Sequence, residues 1–159
     1  MYTQTDYSGT RQEQYAMLSK QLDALLEGEP NRIANLSNAS ALLNEFLERI
    51  NWVGFYLMED GELVLGPFQG KTACVRIKVG KGVCGTAVSK NKTLLVQDVH
   101  AFPGHIACDP ASRSEIVIPL EKDGEVIGVL DIDSPELSRF THEDQEGLEQ
   151  FAAVLMKHL

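Results

Sequence analysis

Apolar residues recur at helical spacing near both ends of the chain and at alternating spacing between them. From about Arg11 to Glu27, Tyr15, Leu18, Leu22, Leu25 and Leu26 fall on one side of a helix, with Gly28 and Pro30 closing it. A second helix is expected from about Asn31 to Arg49, with Ile33, Leu36, Leu43 and Phe46 in its apolar stripe and Pro30 suited to its start. The period then changes to two. NWVGFYLM reads as a strand, Glu59-Asp60-Gly61 as a turn, ELVLGPF as the returning strand and CVRIKV as a third. GKGVCGTAVSKN is a glycine-rich turn entering a short helix, and TLLVQDV is another strand. In HAFPGHIACDPASR, Pro103, Gly104 and Pro110 exclude a regular helix or central strand, so it is a loop. SEIVIPL and EVIGVLDID form two more strands. The last helix begins near Thr141, an N-cap followed by acidic residues, and turns Leu148, Phe151, Leu155 and Met156 inward. Terminal helices around a run of antiparallel strands define an α+β fold.

The last hairpin decides whether three carboxyl groups meet. Asp131 and Asp133 are two apart in a strand and share a face, with Val129 and Ile127 on the same side. A three-residue loop, Lys122-Asp123-Gly124, pairs Glu121 with Glu125 and sets Glu115 opposite Asp131. A two-residue Asp123-Gly124 turn sends Glu115 to the other face. The three-residue loop is preferred because it aligns Ile116, Ile118 and Leu120 with the apolar face of Leu130 and Ile132. An inward acidic trio suits a cationic ligand such as an ammonium group. Like charges and burial also raise carboxyl pKa values, which makes a general acid available at neutral pH. The plainer reading of Asp131 and Asp133 is a solvated strand end.

Composition narrows the classes of function. At 159 residues the chain is read as one domain, residues 1–159, with 1–10 a flexible N-terminal segment. A net charge of −9 at pH 7 argues against nucleic acid and against anionic membrane as partners. The first residues form no apolar signal stretch, and no segment is apolar for long enough to span a bilayer, which points to a cytoplasmic protein. Three cysteines there are too few for a disulfide scaffold, so any disulfide is expected to be transient. No pair has CxxC spacing and no zinc grouping is visible; no metal is expected.

Cys108 lies in the Pro/Gly-bounded loop, where functional residues concentrate, near His100 and His105, either of which lowers a thiol pKa if close. A reactive thiol and a packed structural one are both consistent with that position. Cys74 opens a strand, and Cys84 sits where a helix N-terminus could activate it. Trp52, Gly54 and Tyr56 share one strand face, so the small residue between two rings leaves a recess with aromatic walls.

NWVGFYL, GPFQGKTACVRI, GKGVCGTAV, HIACDPASRSEIVIPL and GVLDIDSP together resemble the free methionine-(R)-sulfoxide reductases, a family built on a stand-alone GAF domain. The likeness runs from about Asn31 to the end. It implies a central antiparallel sheet, with the N- and C-terminal helices on one face and a ligand pocket on the other. It implies an oxidoreductase acting on a sulfur group with a disulfide as acceptor. Cys108 matches the catalytic cysteine, Cys74 the resolving one, and Cys84 a cysteine with a secondary role. Glu115, Asp131 and Asp133 match acidic residues of substrate binding and sulfoxide activation, and Trp52 and Tyr56 match pocket aromatics. A Cys108 sulfenic acid would condense with Cys74, or alternatively Cys84, and thioredoxin, fed by NADPH, would restore the thiols. No bound cofactor is implied, and a homodimer is compatible with the reading. The alternative is a sensory GAF domain that binds a small ligand without reacting.

Overall fold

A computed structural model describes residues 6–106 and 108–159. Helices α1 (Arg11–Leu26) and α2 (Arg32–Phe46) precede strands β1 (Trp52–Glu59), β2 (Glu62–Gly70) and β3 (Arg76–Lys78). Helix α3 (Gly82–Lys90), strand β4 (Leu94–Val96) and a 3₁₀ turn at Val99–Ala101 follow. Strands β5 (Ser114–Lys122) and β6 (Glu125–Ser134) and helix α4 (His142–Met156) complete the chain. All strand pairs are antiparallel, in the order β3-β2-β1-β6-β5-β4. Among the described residues no helix is long and apolar enough to cross a membrane.

Alternation along the strands sorts side chains into two cores. Val53, Phe55, Ile116, Ile118, Leu120, Leu130 and Ile132 face α1, α2 and α4, where Leu18, Leu22, Leu36, Leu43, Leu148 and Phe151 meet them. Trp52, Tyr56, Val117 and Val129 face the opposite way, under α3. The terminal helices thus pack on one face, as expected, and the chemistry-bearing residues lie on the other. Of the segment 1–10, residues 1–5 lie outside the description; Tyr7 donates to Gln21 and meets Phe46 edge-on, with ring centroids 4.7 Å apart.

Thr141 caps α4 as expected, in a capping box with Asp144. Asp144 is buried and also accepts 2.6 Å from the Tyr15 hydroxyl and 3.4 Å from Arg139, joining α1 to the start of α4. Burial pushes the Asp144 pKa up, but the Tyr15 bond, the Thr141 backbone and the two arginines outweigh it and hold the group below its ordinary value. The Tyr15 ring lies on Gly147, where an added Cβ would come within 2.1 Å of Tyr15 Cγ. Alanine favours helices more than glycine does, yet Gly147→Ala is expected to destabilise the fold by about 1–3 kcal/mol, because a buried ring cannot retreat. Urea denaturation checks the sign; a stabilised variant would contradict this packing.

Several expectations need correction. Ile33 is 69% exposed rather than part of the α2 stripe, since it sits in the first turn and faces solvent. Helix α2 stops at Phe46, and Arg49 takes a left-handed φ of 59°. The third strand shrinks to three residues as the chain diverges toward Cys74. TLLVQDV pairs only over Leu94–Val96, because the Asp98 side chain accepts from His100 N and starts the 3₁₀ turn.

The last hairpin departs from the expected register in two places. Lys122 pairs with Glu125, so the turn is the two-residue Asp123-Gly124, with φ of 54° and 80°. That turn alone would carry Glu115 away from the aspartates. A bulge intervenes: Glu121 pairs with Val126 but Leu120 pairs with Gly128, leaving Ile127 extra. The extra residue restores the parity. Glu115 therefore shares the face of Asp131 and Asp133, opposite Asp133 rather than Asp131, while Ile127 swings to the helix-covered core.

Candidate functional site

The second face holds an open cavity beside the start of α3, with ≈ 560 Å³ of empty space counting its open mouth. Trp52 and Tyr56 from β1, Glu115 from β5, Asp131 and Asp133 from β6, Cys84 from α3 and Cys108 from the loop all line it. Strand pairing explains the grouping: Trp52 lies beside Asp133 and Gly54 beside Asp131, with Glu115 across from Asp133.

Cys108 is bonded to Cys74, with Cα atoms 5.6 Å apart across a sequence separation of 34. The bridge ties the long loop to the segment entering β3. Both ends are fixed by residues whose task the sequence did not show. Trp52 Nε1 donates to the Lys71 carbonyl at 3.1 Å, and the Tyr56 hydroxyl donates to the Cys74 carbonyl at 2.9 Å. The two aromatics are therefore walls and also clamps on the Cys74 segment. On the other side, Asn51 Nδ2 donates to Asp109 and to Ser112, each at 3.0 Å, holding the residues after Cys108. A strand-edge asparagine carries no signal in one sequence that could have marked it.

Gly54 does not open a recess between the rings. An added Cβ there would lie 2.2 Å from Phe68 Cβ and 2.9 Å from Trp52, so glycine admits the close passage of β2. Phe68 instead stacks on Trp52 at 5.1 Å, and Trp52 on Tyr56 at 5.9 Å.

The three carboxyl groups are buried, at 6% exposure for Glu115, 6% for Asp131 and 9% for Asp133. Burial, then the charge of Asp131, push Glu115 well above the usual carboxylate range, and the same two causes raise Asp133. Burial also raises Asp131, but hydrogen bonds with Glu115, Cys84 and Asp133 oppose it. The Asp131 Oδ1 is buried without a hydrogen-bond partner. An orphaned, buried carboxylate oxygen beside a cavity calls for a donor or a cation.

Cys84 is not an activated thiol. Although it lies in the first turn of α3, burial, then the charges of Asp131 and Glu115, push its pKa well above the ordinary value. The helix terminus is outweighed. His105 lines the cavity, whereas His100 is exposed and outside it. Burial, then His100, lower the His105 pKa, which favours the neutral ring over the cation. For metal, Cys84, Glu115 and Asp131 group their ligand atoms within 4.8 Å of one another.

The family model described as GAF domain matches residues 16–159. The chain is 60% identical over 147 residues to the free methionine-R-sulfoxide reductase of Escherichia coli, covering 92% of this chain and 89% of that protein. Among solved structures, free methionine-R-sulfoxide reductase from Neisseria meningitidis in complex with its substrate aligns with a TM-score of 0.94 and 44% identity, over 99% of this chain and 95% of that one. The reduced form of fRMsr of Staphylococcus aureus aligns with a TM-score of 0.90 and 56% identity, over 98% and 99% of the two chains.

Proposed function

The chain belongs to the free methionine-R-sulfoxide reductase family of GAF domains, and on that footing we propose that it reduces free L-methionine-(R)-sulfoxide to methionine with Cys108 as the attacking thiol. One observation carries the reading most directly: the Cys108 sulfur, joined to Cys74, borders a cavity in which three buried carboxyl groups converge.

The zwitterionic substrate enters with its ammonium toward Asp131, whose free oxygen accepts it. The sulfoxide oxygen takes a hydrogen bond, then a proton, from Glu115, whose acid form burial favours. Protonation makes sulfur the better electrophile. Cys108 thiolate attacks that sulfur, forming a sulfur–sulfur bond; the oxygen then migrates from the substrate sulfur to the Cys108 sulfur as the sulfur–sulfur bond breaks, methionine leaves as the thioether with the bonding pair, and Cys108 is left oxidised as sulfenic acid. The Cys74 thiol then attacks that sulfur, expelling water and forming the observed Cys74–Cys108 bond. An external dithiol of the thioredoxin type, supplied from NADPH, exchanges with the disulfide and returns two thiols. The chemistry draws on no bound organic cofactor. A cytoplasmic setting suits thiols that must be kept reduced.

Selection of the free amino acid follows from the same charges. A peptide-bound methionine sulfoxide brings no ammonium and would leave Asp131 buried and unpaired, which is costly. Turnover measured with thioredoxin, its reductase and NADPH is expected for free methionine-(R)-sulfoxide and to be poor for its N-acetyl derivative. Binding without NADPH consumption would instead support a sensory GAF domain.

Cys74→Ser is expected to abolish steady turnover with thioredoxin, while a pre-reduced sample still releases one methionine per chain. Rapid-quench measurement of methionine checks both. Loss of that single equivalent would remove Cys74 from the resolving role.

A further inference from the structure

We propose that this protein also carries a binding site for a thiophilic divalent cation of the zinc type, formed by Cys84 Sγ and one carboxylate oxygen each from Glu115 and Asp131. Ligand spacing along the chain argued against such a site. The fold overrides spacing, because the ligands come from three separate elements, α3, β5 and β6. Their ligand atoms lie within 4.8 Å of one another, and the residues are 5%, 6% and 6% exposed. Tetrahedral zinc ligands at about 2.0–2.3 Å from the metal stand roughly 3.5 Å apart, so closure asks about an ångström of side-chain adjustment. Asp131 Oδ1 supplies an independent sign of an absent partner: it is buried and unpaired. Asp133 or a water completes the fourth position, and the cavity is open to solvent, with exposed Thr72 and Lys81 among its lining residues.

The donor set selects the ion. Two carboxylates alone would suit magnesium or calcium, which take six or more oxygens; a thiolate with two carboxylates suits zinc. Binding exchanges the Cys84 thiol proton for the metal, and buried protonated carboxyls release theirs as well. A dication also neutralises the clustered charge more completely than one ammonium. Because it would occupy Asp131, the metal acts as a reversible blocker of the cavity. That consequence rests on the proposed reductase reading, whereas the site itself does not.

Cobalt(II), a spectroscopic substitute for zinc, tests the site in the oxidised protein. There Cys74 and Cys108 are bonded, so any thiolate-to-cobalt absorption has to come from Cys84. One equivalent of cobalt should give a near-ultraviolet charge-transfer band with tetrahedral visible bands, and zinc should erase both. Cys84→Ser should remove the charge-transfer band, and Glu115→Gln should weaken binding by about tenfold or more. Zinc titration of the unaltered protein should release at least one proton per metal. No band at millimolar cobalt, a band that survives Cys84→Ser, or zinc uptake without proton release would each overturn the proposal. None of these readouts depends on sulfoxide turnover.

Discussion

Cys108→Ser is expected to lower turnover of free methionine-(R)-sulfoxide by about 10³-fold or more, with the substrate still bound. Removing a nucleophile usually leaves only what positioning and electrostatics supply. Here those contributions come from Asp131, Glu115 and the aromatic walls, all of which the substitution leaves in place. Serine lacks the polarisable, readily ionised sulfur, and it cannot form sulfenic acid. Loss of the disulfide is not the cause to be measured, because Cys74→Ser loses it equally. The two variants separate by their first turnover: one methionine per chain from Cys74→Ser, none from Cys108→Ser. A Cys108→Ser protein that keeps its single-turnover yield would end the assignment of the attacking thiol. Retained affinity, read by calorimetry on the variant, distinguishes lost chemistry from a collapsed cavity.

Much of this arrangement was legible in the chain, though unevenly. Periodicity located the helices and most strands, because burial on one face imposes a pattern that is visible residue by residue. Thr141 announced α4, since a cap is a local interaction among residues three apart. The acidic trio was legible as a consequence and wrong in its cause. A three-residue loop was expected, and a two-residue turn with a bulge at Ile127 produced the same facing. A bulge depends on what packs above and below one residue, so no local signal in a valine–isoleucine run distinguishes it from regular strand. The same limit hid Phe68 filling the space over Gly54 and the clamps from Trp52, Tyr56 and Asn51. Cys84 shows the opposite failure. Its place at a helix start suggested activation, but burial, reinforced by carboxyl groups from β5 and β6, holds the thiol protonated instead.

Glu115→Gln carries the second large effect, expected at about 10²-fold or more in kcat, and it reports through pH as well as rate. Glutamine preserves shape and can still donate a weak hydrogen bond, but it cannot deliver a proton to the sulfoxide oxygen. In the unaltered protein the folded-state pKa of Glu115 lies well above its ordinary value, chiefly through burial. The acid form is therefore favoured to higher pH than in an ordinary carboxyl, and activity should fall as pH rises through that raised value. The variant should shift this alkaline limb. The three groups titrate together, so the limb belongs to the cluster and not to one side chain. Stability moves the other way. A carboxyl whose pKa is raised on folding favours the folded state at low pH and progressively disfavours it as pH rises through the folded value. Glu115→Gln removes one such group, so at mildly alkaline pH its Tm should exceed that of the unaltered protein. The gap should close below the ordinary carboxylate range, where unfolded and folded carboxyls are both protonated. A slower yet more stable enzyme is the signature of a site held together against its own electrostatics. A variant that is slower and also less stable at alkaline pH would show that Glu115 holds the fold rather than the proton.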